Sequence, residues 1–513
     1  MQRTEFPSSL PSDFNDKSDD EFVIGVLSAP PGGGKSTALL NEVASEPGLY
    51  VIAAPRIDLI EEQAERLRGL VEHMDPLTRP TITVVHSEQA VKGDVDRRLR
   101  DAIDDNTAPH AVVITTHIAL MALAPGDVDG CHVRIDETPE TGVLSGVVGL
   151  GASWPTMAAR YDLVPGPQAG WSRLVPRRGV ETLGVKQVRA DAGAGLVDVH
   201  RLTRSRGRNL EVDLATWEDA GVTGRPPVQW RSIWSLAALR GCASLRIAAA
   251  GYDRSLIGHA TACAGGVRVE VITVGQPRAG QPVIRIHYYT RHTGSTAWWK
   301  EQEGGLCLYA IARHLERIRL KGYFASNTAT RGFFLGLLAG AEQVSPRNAG
   351  TNNLRHHTAC AIIYSCKATD ADGALIAALG LDKNAIRTAR EDEDIFQTVT
   401  RGAIRDPAYA GGYDAHVYDA GQAERLRDRL AAAGYTKITL VPEDEVGILD
   451  VVRPVGRGQK GAPVAVETAA ERKSRLRAAE AERGKQRRAA DKAEKVAAGT
   501  YKPRGRPPVQ HRA

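Results

Sequence analysis

Ala29-Pro30-Pro31-Gly32-Gly33-Gly34-Lys35-Ser36 is the stretch on which the fold turns. An apolar run that reads as a strand, Phe22–Ser28, precedes it, and a helical pattern over Ser36–Ala44 follows. A strand, a glycine-rich turn, Lys-Ser and a helix in that order are the context a phosphate-binding loop requires. Glycine lets the backbone wrap an anion, and N–H groups at the helix start supply positive potential. In this reading Pro31, Gly32, Gly33, Gly34, Lys35, Ser36 and Thr37 cradle the phosphates. Lys35 reaches the distal phosphates and Ser36 ligates a divalent cation. The first position is Ala29, where the general pattern has Gly.

Outward from the loop, short apolar runs alternate with helical patterns. Leu49–Ala54 reads as a strand and Leu59–Leu70 as a helix, with further strands at Thr81–Val85, Ala111–Thr115 and Val133–Asp136. Such alternation implies a parallel sheet with helices on its faces. Asp136-Glu137 ends the last of these strands roughly 100 residues after the loop. There Asp136 is expected to hold Mg²⁺ and Glu137 to polarise an attacking water. His132 and Arg134 interrupt what should be a wholly apolar central strand. Residues 150–235 break the pattern: they are rich in Gly, Pro and Arg, hold five of the seven Trp, and read as an insertion. Strand–helix alternation returns at Leu245–Ala250 and runs from Leu306 to about Val452.

The 513 residues suffice for two to four domains, and 42% hydrophobic with 25% charged residues is an ordinary globular balance. No apolar run has the length of a membrane span, so no membrane partner is expected. Met1 to Glu21 is rich in Ser, Pro and Asp and lacks an apolar stretch like that of a signal peptide; it reads as a disordered leader of a cytoplasmic protein. Six cysteines form no Cys-x-x-Cys pair, which argues against a zinc ribbon. His356, His357, Cys360 and Cys366 are the nearest approach to a metal cluster, but the strand pattern between them favours buried thiols. The formal charge of +5 is unevenly placed: from Arg453 onward 17 Lys/Arg face 6 Asp/Glu, a net of +11, leaving −6 on the rest. Basic blocks of that kind bind nucleic acid.

With the loop and Asp136-Glu137 in order, further segments resemble those of superfamily-two helicases of the DEAD/DExH group. Pro55-Arg56 with Leu59 and Gln63, and Thr115-Thr116-His117 with Leu120, are similar to that family's first-lobe nucleic-acid motifs. Leu245–Asp253 falls where the family carries a Ser-Ala-Thr segment, and Tyr323–Asn327 resembles the first strand motif of its second lobe. Gly350-Thr351-Asn352-Asn353-Leu354 is similar to the motif that touches both nucleic acid and ATP. Gln397-x3-Arg401-Gly-x2-Arg405 resembles the final motif, whose arginines reach the γ-phosphate. The resemblance spans about residues 25–410 and rests on the order of these segments.

The resemblance implies an α/β fold of two RecA-like P-loop NTPase domains with parallel sheets, an insertion in the first, and a basic helical or disordered C-terminal tail. Boundaries are expected at 1–21 (leader), 22–265 (first lobe, insertion 150–235), 266–452 (second lobe) and 453–513 (tail). It implies ATP and Mg²⁺ as cofactors, with Lys35, Glu137, Arg401 and Arg405 as catalytic groups and Ser36 and Asp136 at the metal. Nucleic acid would meet Pro55, Arg56, Thr116, His117, Gly350, Thr351 and Asn352. Three departures stand out: no adenine-reading Gln motif precedes the loop, Pro139 stands where the family has Asp or His, and Ala-Ala-Gly replaces Ser-Ala-Thr.

In the tail, Lys502-Pro503-Arg504-Gly505-Arg506-Pro507 matches the core of an AT-hook. Arg504 and Arg506 can enter a narrow A·T minor groove, and Gly505 allows close approach. The combined expectation is a DNA helicase or translocase of a phage- or plasmid-replication type, with DNA and replication proteins as partners. An ATP-gated DNA-binding protein without productive unwinding, or the motor of a nuclease or packaging system, are the alternatives.

Overall fold

The computed structural model describes residues 21–452, apart from 89–94, 181–183, 193–194, 225–226, 276 and 348–352. The leader, the helix expected within the tail and the AT-hook-like segment with Arg504, Gly505 and Arg506 lie outside the described residues, as do Gly350, Thr351 and Asn352.

The chain lays down β1 (Phe22–Ser28), β2 (Leu49–Ala54), β3 (Thr81–Val85), β4 (Ala111–Thr116) and β5 (His132–Asp136) before leaving for a separate sheet. That sheet comprises β6 (Val143–Val148), β7 (Tyr161–Pro165), β8 (Trp171–Pro176), β9 (Glu211–Asp213) and β10 (Val228–Ile233). The chain then returns with β11 (Ser244–Ala248) and β12 (Val267–Thr273). The first sheet has the order β12-β1-β11-β5-β2-β4-β3, every pair parallel. A second parallel sheet follows from β13 (Val283–Thr290), β14 (Tyr323–Ser326), β15 (Glu342–Val344), β16 (Ala359–Ile363), β17 (Gly412–Asp419) and β18 (Lys437–Pro442). Its order is β15-β14-β16-β17-β13-β18. The fold is α/β, with two parallel-sheet lobes of RecA-like type.

Burial on both faces explains why β2 and β4 are nearly uninterrupted apolar runs. In β5, Arg134 and His132 interrupt the apolar pattern, and both find partners. Arg134 is 1% exposed and ion-paired to Glu42 of α1 (Lys35–Ser45), which also takes Arg246 of β11 at 2.6 Å. His132 stacks on Tyr50 and meets the Ser244 hydroxyl at 2.8 Å. A carboxylate between two guanidiniums thus ties the helix after the phosphate loop to the strands beneath it.

The expected insertion is the antiparallel sheet β6-β10-β9-β8-β7, whose first strand already begins at Val143. Its tryptophans serve packing. Trp217 and Trp234 are buried, Trp154 meets Trp217 edge-on, and Arg231 lies over the Trp171 ring at 4.0 Å. From the second lobe, helices at Gly373–Leu379 and Lys383–Arg387 reach across to the first. Leu375, Leu379, Ile386 and Ala389 join the same buried cluster as Ile135, Tyr252 and Ile257. Polar contacts fasten this strap: Ser145 donates to Asp372 at 2.9 Å, and Arg231 donates to the Ala374 carbonyl at 3.3 Å.

The His356–Cys366 segment forms no metal cluster among the described residues. Cys360 is buried in the second sheet, and burial pushes its thiol up to about 12. His287, His416 and Glu443 do come close enough to share an ion. Yet both His287 nitrogens already face carboxylates, Glu443 at 2.6 Å and Asp414 at 3.2 Å. The His287 and His416 rings also stack at 4.3 Å and 17°, so their in-plane lone pairs do not converge. The geometry is that of an imidazolium between carboxylates.

Candidate nucleotide site between the lobes

The loop 29–34 leaves the carboxyl end of β1 and opens α1, with Gly32 and Gly34 at φ 76° and 86°. Gly32 is required for a second reason: a Cβ there would stand 2.0 Å from the Arg405 carbonyl oxygen of the second lobe. The two lobes therefore meet directly on the phosphate loop. A cavity of about 290 Å³ opens beside Gly32, lined otherwise by second-lobe residues including Arg355, Arg405 and Tyr409.

The two residues expected at a metal, Ser36 and Asp136, lie in contact. Ser36 Oγ donates to Asp136 Oδ1 at 2.7 Å, joining residues 100 positions apart. Asp136 is gripped on two more sides: Gln63 Nε2 donates to Oδ2 at 2.5 Å, and His117 Nε2 meets the backbone carbonyl at 2.9 Å. Burial, then the neighbouring Glu137 charge, pushes the Asp136 carboxyl up to about 6. A hydroxyl and a carboxylate oxygen in contact are hard donors of the kind Mg²⁺ takes beside nucleotide phosphates. The same cation would relieve the crowding of Asp136 and Glu137, so the residues fit that ion.

Glu137 adopts φ 65°, a left-handed conformation unfavourable for a residue with a side chain, and its N–H bonds the Ala248 carbonyl at 3.2 Å. Arg401 Nη2 donates to Glu137 Oε1 at 3.0 Å. Burial alone would raise the Glu137 carboxyl, but Arg401 first and Arg405 next outweigh it and hold the group below the usual carboxylate range. Arg401 is 1% exposed, and the Nε–H groups of Arg401 and Arg405 are buried without partners. Burial, then Arg401, lowers Arg405 to about 10, and burial, then Arg405, lowers Lys35. Lys35, whose Nζ donates to the Ala29 carbonyl at 2.9 Å, thus shares its surroundings with two guanidiniums and two carboxylates.

Behind Arg401 runs a polar chain that sequence reasoning missed. Gln397 Oε1 accepts from Arg401 at 3.2 Å, Gln397 Nε2 donates to Glu393 at 2.8 Å, and Glu393 pairs with Arg429. This pair abuts Gly251, where a Cβ would lie 3.0 Å from Glu393 Oε2. The chain from Arg401 through Gln397 to Glu393 thus ends close to the backbone at Gly251, the last residue of the Ala-Ala-Gly segment. No motif spacing flags Glu393 or Arg429.

The expected nucleic-acid residues are partly brought together. Pro55 and Arg56 follow β2, and Thr116 ends β4, at the carboxyl ends of parallel strands, the same end of the sheet from which loop 29–34 leaves β1. Arg56 immediately precedes α2 (Ile57–Val71) and pairs with Asp58 at 3.2 Å, while the Thr116 side chain caps the short helix after it. His117 does not face outward. It is 4% exposed, faces Asp136, and burial lowers it to about 4, keeping the ring neutral. Thr37 accepts from Arg66 at 2.8 Å.

No family model matches the chain, and no curated protein matches it. Among solved structures, the chain is similar to an XPD helicase at 10% identity, covering 82% of this chain and 96% of that one with a TM-score of 0.44. It is similar to Xpd4 of S. tokodaii at 12% identity, 82% and 96% coverage and a TM-score of 0.43. A third likeness is to S. cerevisiae Dbp5 bound to RNA and ADP BeF3, at 10% identity, 84% and 88% coverage and a TM-score of 0.37.

Proposed function

We propose that the chain is an ATP-hydrolysing motor that moves on nucleic acid, with DNA as its track. The observation that carries this reading is the convergence of Lys35, Ser36, Asp136 and Glu137 of one lobe with Arg401 and Arg405 of the other. A phosphoryl group in transfer spreads negative charge over its equatorial oxygens, and catalysis consists of placing cations there and orienting the attacking water. Lys35 and the two arginines supply the cations. Glu137, held ionised, accepts the water's proton. Ser36 and Asp136 would hold Mg²⁺, which supplies charge neutralisation between the phosphates when bound. Because the catalytic set is split, any change in nucleotide state bears on the contact between the lobes. By the resemblance, Pro55, Arg56 and Thr116 of the first lobe, together with the Gly350-Thr351-Asn352 segment, are where a strand would be gripped. The basic block after Arg453 with Arg504, Gly505 and Arg506 supplies the duplex tether.

The test is the ATPase rate with and without single- and double-stranded DNA and RNA, run alongside strand displacement. Stimulation by DNA and its loss in Lys35→Ala are expected. Turnover by Lys35→Ala at the parent rate would remove the phosphate-loop assignment. A second reading, ATP-gated DNA binding without unwinding, is favoured by the missing Ser-Ala-Thr hydroxyls. DNA-stimulated hydrolysis with no strand displacement or translocation would select it.

A further inference from the structure

Gln63 lies two turns into α2, in a segment otherwise tied by resemblance to nucleic acid, yet its side chain points to the phosphate site. It is 4% exposed, and its Nε2 donates to Asp136 Oδ2 at 2.5 Å. Its Oε1 is buried with no hydrogen-bond partner, a state that ordinarily costs about 1–3 kcal/mol. The amide orientation is fixed by charge, since the reverse would set the amide oxygen against a carboxylate. Ser36 occupies the other oxygen, Oδ1, at 2.7 Å.

We propose that Gln63 is a positioning residue for the metal-holding carboxylate: its amide pins Asp136 Oδ2 so that Oδ1 stays with Ser36, and its unpartnered Oε1 accepts from a water of the cation's shell. The inference rests on the phosphate-site reading above. The residue type suits the task. An amide orients a carboxylate without neutralising it, whereas a lysine would compete with the cation and a second carboxylate would repel Asp136. Groups that orient metal ligands in this way are worth about 10–100-fold in metal affinity.

The experiment compares the full chain with Gln63→Leu and Gln63→Met, two apolar replacements of similar volume. Binding of a fluorescent ATP analogue is titrated with Mg²⁺, Mn²⁺ binding is followed by electron paramagnetic resonance, and melting is recorded without metal. Both variants should need about 10–100-fold more cation for half-saturation, with cation-free nucleotide affinity and metal-free melting close to the parent. Unchanged cation dependence, or a fall in metal-free melting as the sole effect, would overturn the proposal. Lys35→Ala, run in parallel, separates the two claims. If it loses nucleotide while both Gln63 variants titrate like the parent, only the role of Gln63 falls. If it binds nucleotide like the parent, the phosphate-site reading falls and this inference with it.

Discussion

Arg401 and Glu137, 264 residues apart in the chain, meet at 3.0 Å across the two lobes. The contact joins a buried guanidinium to a carboxylate on a left-handed backbone, which makes the proposed base and the proposed charge stabiliser direct partners.

Glu137→Gln should retain nucleotide binding and lose turnover. The amide can still accept from Arg401 but cannot take the proton of water, and general-base loss typically costs about 10²–10⁴-fold in rate. Binding of a fluorescent nucleotide beside steady-state hydrolysis checks this. Failure to bind nucleotide at all would assign Glu137 a structural role instead.

The strap at 370–390 should contribute to stability. Leu375 is fully buried among first-lobe residues, so Leu375→Ala should cost about 2–5 kcal/mol in urea unfolding. A loss below about 1 kcal/mol would mean that the helix merely rests on the first lobe.

His287 gives the second lobe a pH signature. Burial alone would lower its pKa, but hydrogen bonds first to Asp414 and then to Glu443 raise it above the ordinary 6.5. A raised folded pKa contributes stability that is fully present below about 6.5 and lost as pH climbs through the folded value. The stability difference between the parent and His287→Gln should therefore shrink as pH rises above about 6.5. His416 beside it is pushed down to about 3 by burial and stays neutral across that window. A difference independent of pH would dissolve the imidazolium assignment.

The tail yields a prediction from sequence alone. Replacing Arg504 and Arg506 with Ala removes two charges from a block of net +11, so general duplex affinity should fall only modestly. Preference for A·T tracts over G·C duplex should vanish, because those arginines would read minor-groove width and potential. Titration of both duplexes at one fixed salt concentration decides it, and equal loss on the two would make the segment a plain polycation.

Much of this was legible in the sequence where the signal is local. The glycine-rich loop 29–34 is a contiguous run with β1 before it and α1 after it, and Asp136-Glu137 stands at the end of β5 as read. Arg401 was legible only through resemblance, since nothing local announces that an arginine will cross to another lobe. Arg134 reads as a flaw in a central strand because its partner, Glu42, lies 92 residues away. His117 reads as a surface contact, yet burial against Asp136 turns it inward. The apolar pattern of Leu375 and Leu379 tells that they are buried but not in whose core. Gln63 reads as part of a nucleic-acid motif and Glu393 as an ordinary helix residue until tertiary structure sets them beside Asp136 and Gly251.

The claim that both lobes build one hydrolytic site is tested most directly by Arg401→Ala, measured for single-turnover ATP hydrolysis and for nucleotide affinity on the same preparation. Its guanidinium acts mainly as charge develops, so affinity should change little while the rate falls by about 10³-fold or more. A rate equal to the parent's would show that the second lobe takes no part in the chemistry.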